Sequence, residues 1–321
     1  FKYKTTYLPY NNLMKLIVVI FFALCIAQNT KAQELYPNSE PASINPKNTL
    51  GIRLMNEAYT TKDITRSWHG AMFMYGVNSK FMLSAMFTTS NHHYKSLPAN
   101  FIQSDSNNVE FVQNNQTLQK YNYAFEAINL GFRYRFLNKD GDHKHFRMAL
   151  YGNGVYAFQP HDEAETTLMG DNKAIGGGII STALINKLAI SFTGGIIKPF
   201  AYTQNQMAIN YGNAYNYSLS FGYLVYPFKY KNFNQTNINL YVEFLGKSYD
   251  AMSITNNRKD VVLQNNKAYD NGNYIEFRPA IQFIVKSNLR IDCSTSLPIM
   301  NKSYIRNYPL CMLNIQYYIF L

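Results

Sequence analysis

The chain reads as all-β: a transmembrane, antiparallel up-and-down β-barrel of about 12 strands, with short periplasmic turns and long extracellular loops. Three observations predict it. Apolar and polar residues alternate with a period of two in segment after segment. No run of 18 apolar residues follows the first 32 positions, so nothing there crosses a bilayer as a helix. The connections between segments are long and short in strict alternation, which a soluble sandwich has no reason to do.

Composition agrees. There are 27 Tyr and 22 Phe among 321 residues, yet only 15% of residues are charged, against about 25% in ordinary soluble domains. Mean hydropathy is −0.25, too polar for a bundle of membrane helices. The formal net charge is +11; without the four lysines of residues 1–32, 26 basic residues remain against 19 acidic ones, a net +7. That charge is scattered rather than packed on one face, so nucleic acid is not expected as a partner.

Residues 1–13 carry no Met and are expected to be a non-native leader or misassigned start. Met14-Lys15 then opens a charged segment. Leu16–Ala27 is an apolar run too short to span, and Thr30-Lys31-Ala32 suits a signal-peptide cleavage site, so 14–32 reads as a secretory signal peptide. Residues 33–48 carry Pro37, Pro41 and Pro46 and read as an extended periplasmic lead-in to a barrel over 49–321.

Strand one is expected over about 49–59, two over 68–75, three over 80–88 and four over 121–137. Five covers about 146–158, six 174–184, seven 188–198 and eight 214–226. Nine covers about 237–245, ten 274–285, eleven 289–297 and twelve 309–321. Strand eight shows the alternation most plainly: Tyr215, Tyr217, Leu219, Phe221, Tyr223 and Val225 face oil while Asn216, Ser218, Ser220 and Gly222 face away. Connections after odd strands (60–67, 89–120, 159–173, 199–213, 246–273, 298–308) are long, and those after even strands are short. Three places strain the pattern. Pro279 inside strand ten calls for a bulge. Glu126 falls on the lipid side of strand four unless that strand bulges. Gly176-Gly177-Gly178 and Gly194-Gly195 call for a bend or a close approach to the wall.

Parity assigns the lumen. Arg53, Arg133, Arg135, Arg147, Glu243, Glu276, Arg278, Gln282, Arg290, Asp292, Asn314 and Gln316 fall inward. Arg or Lys facing lipid at mid-membrane would cost about 2–4 kcal/mol. Glu243, Glu276/Arg278 and Arg290/Asp292 come from consecutive strands and suit a ladder of opposite charges. Inward polar groups fill a barrel or line a solute path, and both readings stand.

Soft thioethers select Cu(I) and imidazoles suit several transition metals. Met72, Met74, Met82 and Met86, with His92 and His93, are therefore candidate metal ligands against the plainer reading of packing and solvated loop. Met74 and Met82 meet only if the turn between strands two and three is odd in length. Cys293 and Cys311 fall on the lipid faces of adjacent strands, where a disulfide needs the right register. No G-x-S-x-G, H-E-x-x-H, P-loop or C-x-x-C is present, so no enzyme and no cofactor are expected.

The signal peptide ending at Ala32-Gln33, the twelve alternating segments and the aromatic last strand resemble outer-membrane β-barrels of the Bacteroidota. Glu40-Pro41-Ala42-Ser43, residues 50–57, His145-Phe146-Arg147-Met148 and residues 184–188 carry the resemblance to uncharacterised members of that group. The resemblance implies a bacterial outer-membrane location, assembly by the barrel-assembly machinery and contact with outer-membrane lipid. Such barrels commonly end in Phe; here Phe320 is followed by Leu321. The expected function is a monomeric, porin-like channel or transporter for small solutes, gated by loops 89–120 and 246–273. The alternatives are a structural, secretion or surface-interaction barrel without an open pore, and a rim-sited lipid hydrolase using His69, His92 or His161 beside Ser67, Ser90 or Asp162.

Overall fold

The computed structural model describes residues 36–60, 65–91, 103–105, 108–110, 123–142, 144–158, 164–169, 172–204, 207–228, 235–260 and 267–321. The expected signal peptide, the 1–13 leader, His92, His93, His161 and Asp162 lie outside them.

Twelve antiparallel strands form a closed barrel. They are β1 Thr49–Thr60, β2 Thr65–Gly76, β3 Phe81–Ser90, β4 Ala124–Gly141, β5 Lys144–Ala157 and β6 Ala174–Ile185. The circuit continues with β7 Leu188–Pro199, β8 Ala214–Tyr226, β9 Asn237–Tyr249, β10 Gly272–Val285, β11 Leu289–Ser294 and β12 Cys311–Phe320. Each strand pairs with its sequence neighbours, and β12 closes the circle on β1 from Thr49↔Phe320 to Ala58↔Cys311. Closure leaves no unpaired wall edge, the condition for a sheet to stand in lipid. The expected strands are found in order, and strand eight has the expected bounds.

The outer face is apolar. Leu54, Phe87, Leu130, Leu150, Phe192 and Leu240 all stand exposed. Leaving such a side chain in water forgoes about 1.5–3 kcal/mol. Ten of them would forgo on the order of 20 kcal/mol, more than the usual net stability of a fold. A hydrocarbon surround removes that cost. The inner face carries the buried polar set, including Ser220, Glu243, Glu276, Gln282 and Asp292.

The irregular places have local causes. In the β3–β4 pairing the register shifts between Thr88↔Ala127 and Thr89↔Phe125. Glu126 is the extra residue, and the bulge turns it inward to meet Ser90 Oγ. At Pro279 it is the neighbour that yields, not β10. β11 stops at Ser294 and resumes over Leu297–Asn301 against the other half of β10. Thr295 N–H donates to Pro279 O (3.4 Å), so the side of β10 on which proline lacks a donor faces that break. The glycine pairs answer to close approach. A Cβ on Gly178 would lie 2.1 Å from Gly194 O, and one on Gly195 would lie 2.0 Å from the Tyr151 hydroxyl. Tyr151 lies across the inner wall there and accepts from Asn216 Nδ2 (3.2 Å).

One rim has the short connections, down to the two residues after β6, where Asn186 takes φ 55°. The other has the long ones, with one correction. β2 begins at Thr65, paired with Thr60, so the first connection is 61–64 rather than 60–67. Above this long-loop rim, Tyr202–Gln204, Met207–Asn210, Ser253–Asn256 and Lys259–Asp260 form a small second sheet. An apolar cluster including Ile197, Ile209, Tyr249 and Ile254 packs beneath it.

Candidate functional site

The segment expected as an extended periplasmic lead-in is folded into the barrel. Tyr36, Ser39, Ala42, Ser43, Ile44 and Asn45 are all buried. This stretch crosses the short-turn half of the lumen before Asn48, at φ 57°, turns it into β1. It passes so close to β2 that a Cβ on Gly76 would meet Pro46 O at 2.0 Å, so only glycine lets the chain through.

Polar contacts hold it. Asn38 donates from its backbone N–H (2.9 Å) and Nδ2 (2.7 Å) to one oxygen of Glu243. Ser39 donates from N–H (2.9 Å) and Oγ (2.7 Å) to the other. Glu40 takes Arg133 at 2.7 Å and Arg53 at 3.3 Å. Ala42 N–H donates to Thr182 Oγ1 (2.8 Å), and Arg147 donates to Ser43 Oγ (2.8 Å). Arg290 donates to Tyr36 O (2.7 Å), while Arg53 and Asn314 both donate to Pro37 O. Burial pushes the Glu40 carboxyl up, but the Arg133 and Arg53 guanidinium groups outweigh it and hold it below the ordinary carboxylate range.

The twelve residues assigned inward by parity all face the interior. Arg53, Arg133, Glu243, Glu276, Arg278, Gln282, Arg290, Asp292, Asn314 and Gln316 are buried; Arg135 and Arg147 sit half-buried near the short-turn rim. Their pairing differs from the expected ladder. Glu276 binds Arg278 (2.7 Å) and Arg290 binds Asp292 (2.6 Å), each within its own strand. Two residues apart is one step along one face, so opposite charges placed there need no neighbouring strand. Glu243 stands opposite Arg278 in register but spends its oxygens on the plug. Gln282 accepts from Asn239 (2.9 Å) and donates to Asp292 (3.0 Å), joining three strands through amides.

Beyond the plug lies a cavity of about 460 Å³. Its walls differ. On one side Met55, Met72, Met74, Met82, Met86 and Met312 line it. Val77 N–H donates to Phe81 O (3.0 Å), leaving the odd turn 78–80, and Met72 stands opposite Met86. All four methionines flagged in β2 and β3 therefore face in. Their packing partners are Ile44, Met55 and Trp68, which makes an apolar, polarisable wall. Among the described residues no group of three or more His, Cys, Asp or Glu is arranged around a metal position.

The other side is ionic. Glu165 meets Lys247 (2.7 Å) and accepts from the Tyr274 hydroxyl (2.7 Å). Arg306 donates to Glu276 through Nε (2.6 Å) and lies 4.7 Å over the Tyr274 ring. Glu165 and Arg306 come from the connections after β5 and β11. Loops other than the expected 89–120 and 246–273 thus reach into the barrel. Burial pushes Glu165 up, and Lys247 and Arg306 together bring its carboxyl below the ordinary range. Neither residue was found by parity, which does not extend to loops; their one signal was the opposite charge of the two connections, acidic over 159–173 and basic over 298–308.

Cys293 and Cys311 are both free and face outward. Cys293 stands opposite Leu313 and Cys311 opposite Ala58, a register that does not bring the two candidate disulfide partners together.

No protein-family model matches the chain, and no curated protein matches it. Among solved structures, the COG4313 outer membrane channel from Pseudomonas putida F1 superimposes with a TM-score of 0.51 at 12% identity, over 89% of this chain and 99% of that one. The outer membrane phospholipase A from Escherichia coli gives a TM-score of 0.35 at 8% identity, over 90% and 94%. Salmonella typhi OmpF, in complex with daunomycin, gives 0.33 at 8%, over 84% and 97%. The likeness at such identities is one of fold: the chain has the architecture of a bacterial outer-membrane β-barrel.

Proposed function

We propose that this barrel is an outer-membrane channel for small polar solutes, and that its own residues 36–48 close the short-turn mouth. The observation that carries the reading is how the plug is held. Tyr36, Ala42 and Ile44 pack against the wall, but the rest of the segment is held by polar groups, and Glu40 and Glu243 alone account for six of its polar contacts. A segment held by hydrogen bonds and ion pairs exchanges them for water as it leaves, at a net cost of about 1.5–3 kcal/mol for each bond to a charged group. Behind it lies a cavity already lined by charge. In this reading the protein is exported by residues 14–32, placed in the outer membrane of a bacterium of the Bacteroidota type by the barrel-assembly machinery, and works as a monomer surrounded by lipid. Solute passes from the long-loop rim into the chamber and leaves when the plug shifts.

Planar-bilayer conductance tests it. The full barrel should conduct weakly or in brief openings. Deleting residues 36–45, or replacing Glu243 with Ala so that Asn38 and Ser39 lose their acceptor, should give a steady and larger conductance. A folded deletion variant that stays silent would leave the structural, non-conducting barrel as the better reading.

A further inference from the structure

A second site stands on the opposite face of the wall. Asn56 of β1 and Ser67 and His69 of β2 point outward near the long-loop rim, where the apolar band gives way. Asn56 stands opposite His69 in register, and Ser67 lies two residues from His69 on the same face of the same strand. His69 Nδ1 meets Asn56 Oδ1 at 2.8 Å. The amide is itself fixed, because Asn56 Nδ2 donates to Leu313 O (3.1 Å) on the other neighbouring strand. With its NH₂ so engaged, Asn56 can offer His69 only an oxygen. In the neutral ring Nδ1 then carries the proton and Nε2 presents its lone pair. Ser67 is fixed in turn: its backbone N–H donates to Asn91 Oδ1 (2.8 Å), and its hydroxyl meets the Tyr123 hydroxyl. The Tyr123 ring lies 5.6 Å from the His69 ring, centroid to centroid. Alternate residues on one strand face lie roughly 7 Å apart, within reach of an imidazole and a serine hydroxyl once Ser67 Oγ turns from the Tyr123 hydroxyl it meets in this structure.

We infer that Asn56, His69 and Ser67 form an acyl-ester hydrolase site for membrane lipid, working on the outside of the barrel. Nucleophile, base and a third group orienting the base are the parts such chemistry needs. Polar residues on a lipid-facing wall gain nothing from hydrocarbon. They gain from an ester carbonyl, which sits at the depth where acyl chains meet headgroups. Ser67 Oγ attacks that carbonyl carbon while His69 Nε2 takes its proton. The tetrahedral intermediate collapses with cleavage of the ester C–O bond, and the imidazolium returns the proton to the departing alkoxide oxygen. Water, deprotonated by the same Nε2, then attacks the acyl-serine; its C–O bond to Ser67 breaks, a fatty acid leaves and Ser67 regains its proton. The Tyr123 O–H, in contact with Ser67 Oγ, is the donor at hand for the carbonyl oxygen. Asn56 is a positioning residue, acting through His69. The sequence offered His69 beside Ser67; Asn56 was not legible there because it lies on a different strand, and only register brings it to His69.

The test uses the full barrel folded in detergent, a fluorophosphonate probe, and phosphatidylethanolamine in mixed micelles. Wild-type protein should be labelled at Ser67, located by mass spectrometry, and should release fatty acid. Ser67→Ala should abolish both, and His69→Gln should slow both at least ~100-fold. Asn56→Ala should slow labelling, while Asn56→Asp should restore it with its pH midpoint moved upward, since a carboxylate favours the protonated ring. A merely structural Asn56 would not move that midpoint. Folding of each variant is checked by its heat-dependent gel mobility. Wild-type barrel unlabelled at Ser67, or fatty-acid release that survives in folded Ser67→Ala, overturns the assignment, and neither result bears on conductance.

Discussion

Glu40 shows at the scale of one residue how the interior is held. Its carboxylate faces Arg53 and Arg133, with the Arg290 charge further off. A carboxyl held below its ordinary range keeps its stabilising contacts at every pH above that range. It loses them only as pH falls through the lowered value. The plug should therefore stay latched at pH 5 and above and loosen only below about pH 4, the ordinary range of a glutamate. Protease protection of residues 36–48, measured against pH, checks this. Glu40→Gln should protect less at neutral pH and lose the acid step. The alternation of apolar and polar residues made the inward direction of Arg53, Arg133 and ten others legible. The partner of Arg53 and Arg133 was not, because Glu40 lies in a proline-rich segment with no period to read.

Whole strands obey the same period until a local conflict breaks it. Glu126 announced its bulge, since a carboxylate among lipid-facing positions has nowhere else to go. Pro279 announced a defect but not its owner; the break fell in β11, whose Thr295 and Ser296 gave no comparable sign. Glycines that look alike in sequence separate in the fold. On Gly178 a Cβ would strike the backbone oxygen of Gly194, which no rotamer change relieves; on Gly194 it would meet only the Phe192 ring at 3.6 Å. Gly178→Ala should thus lower stability by about 1–3 kcal/mol or block assembly, and Gly194→Ala should be tolerated. Thermal unfolding of the two variants in detergent distinguishes them. The flagged methionines needed the turn length, which the β2–β3 register fixes from Trp68↔Ser90 to Gly76↔Met82.

For the molecule as a whole, alternation and loop length were enough to predict a closed wall, because every strand answers to the same two solvents. What fills the wall was not predicted: neither the plug nor the inserted Glu165 and Arg306 belongs to a strand. The apolar outer face carries a plain prediction. The folded chain should need detergent or lipid to remain dispersed, and unheated samples should migrate differently from boiled ones on a gel. Dispersion as a folded monomer in plain buffer would contradict the barrel's placement in a membrane.

The oxygen of Pro37 receives Arg53 from the first strand and Asn314 from the last. Those two strands are the chain's loose ends, brought together only when synthesis and threading are complete. A single carbonyl thus bridges the one junction in the circle that no hairpin ties. Withdrawing the leading stretch would do more than clear a passage: it would leave the suture between first and last strands resting on its ladder and the Asn56–Leu313 bond, and that line is where the cylinder should part first.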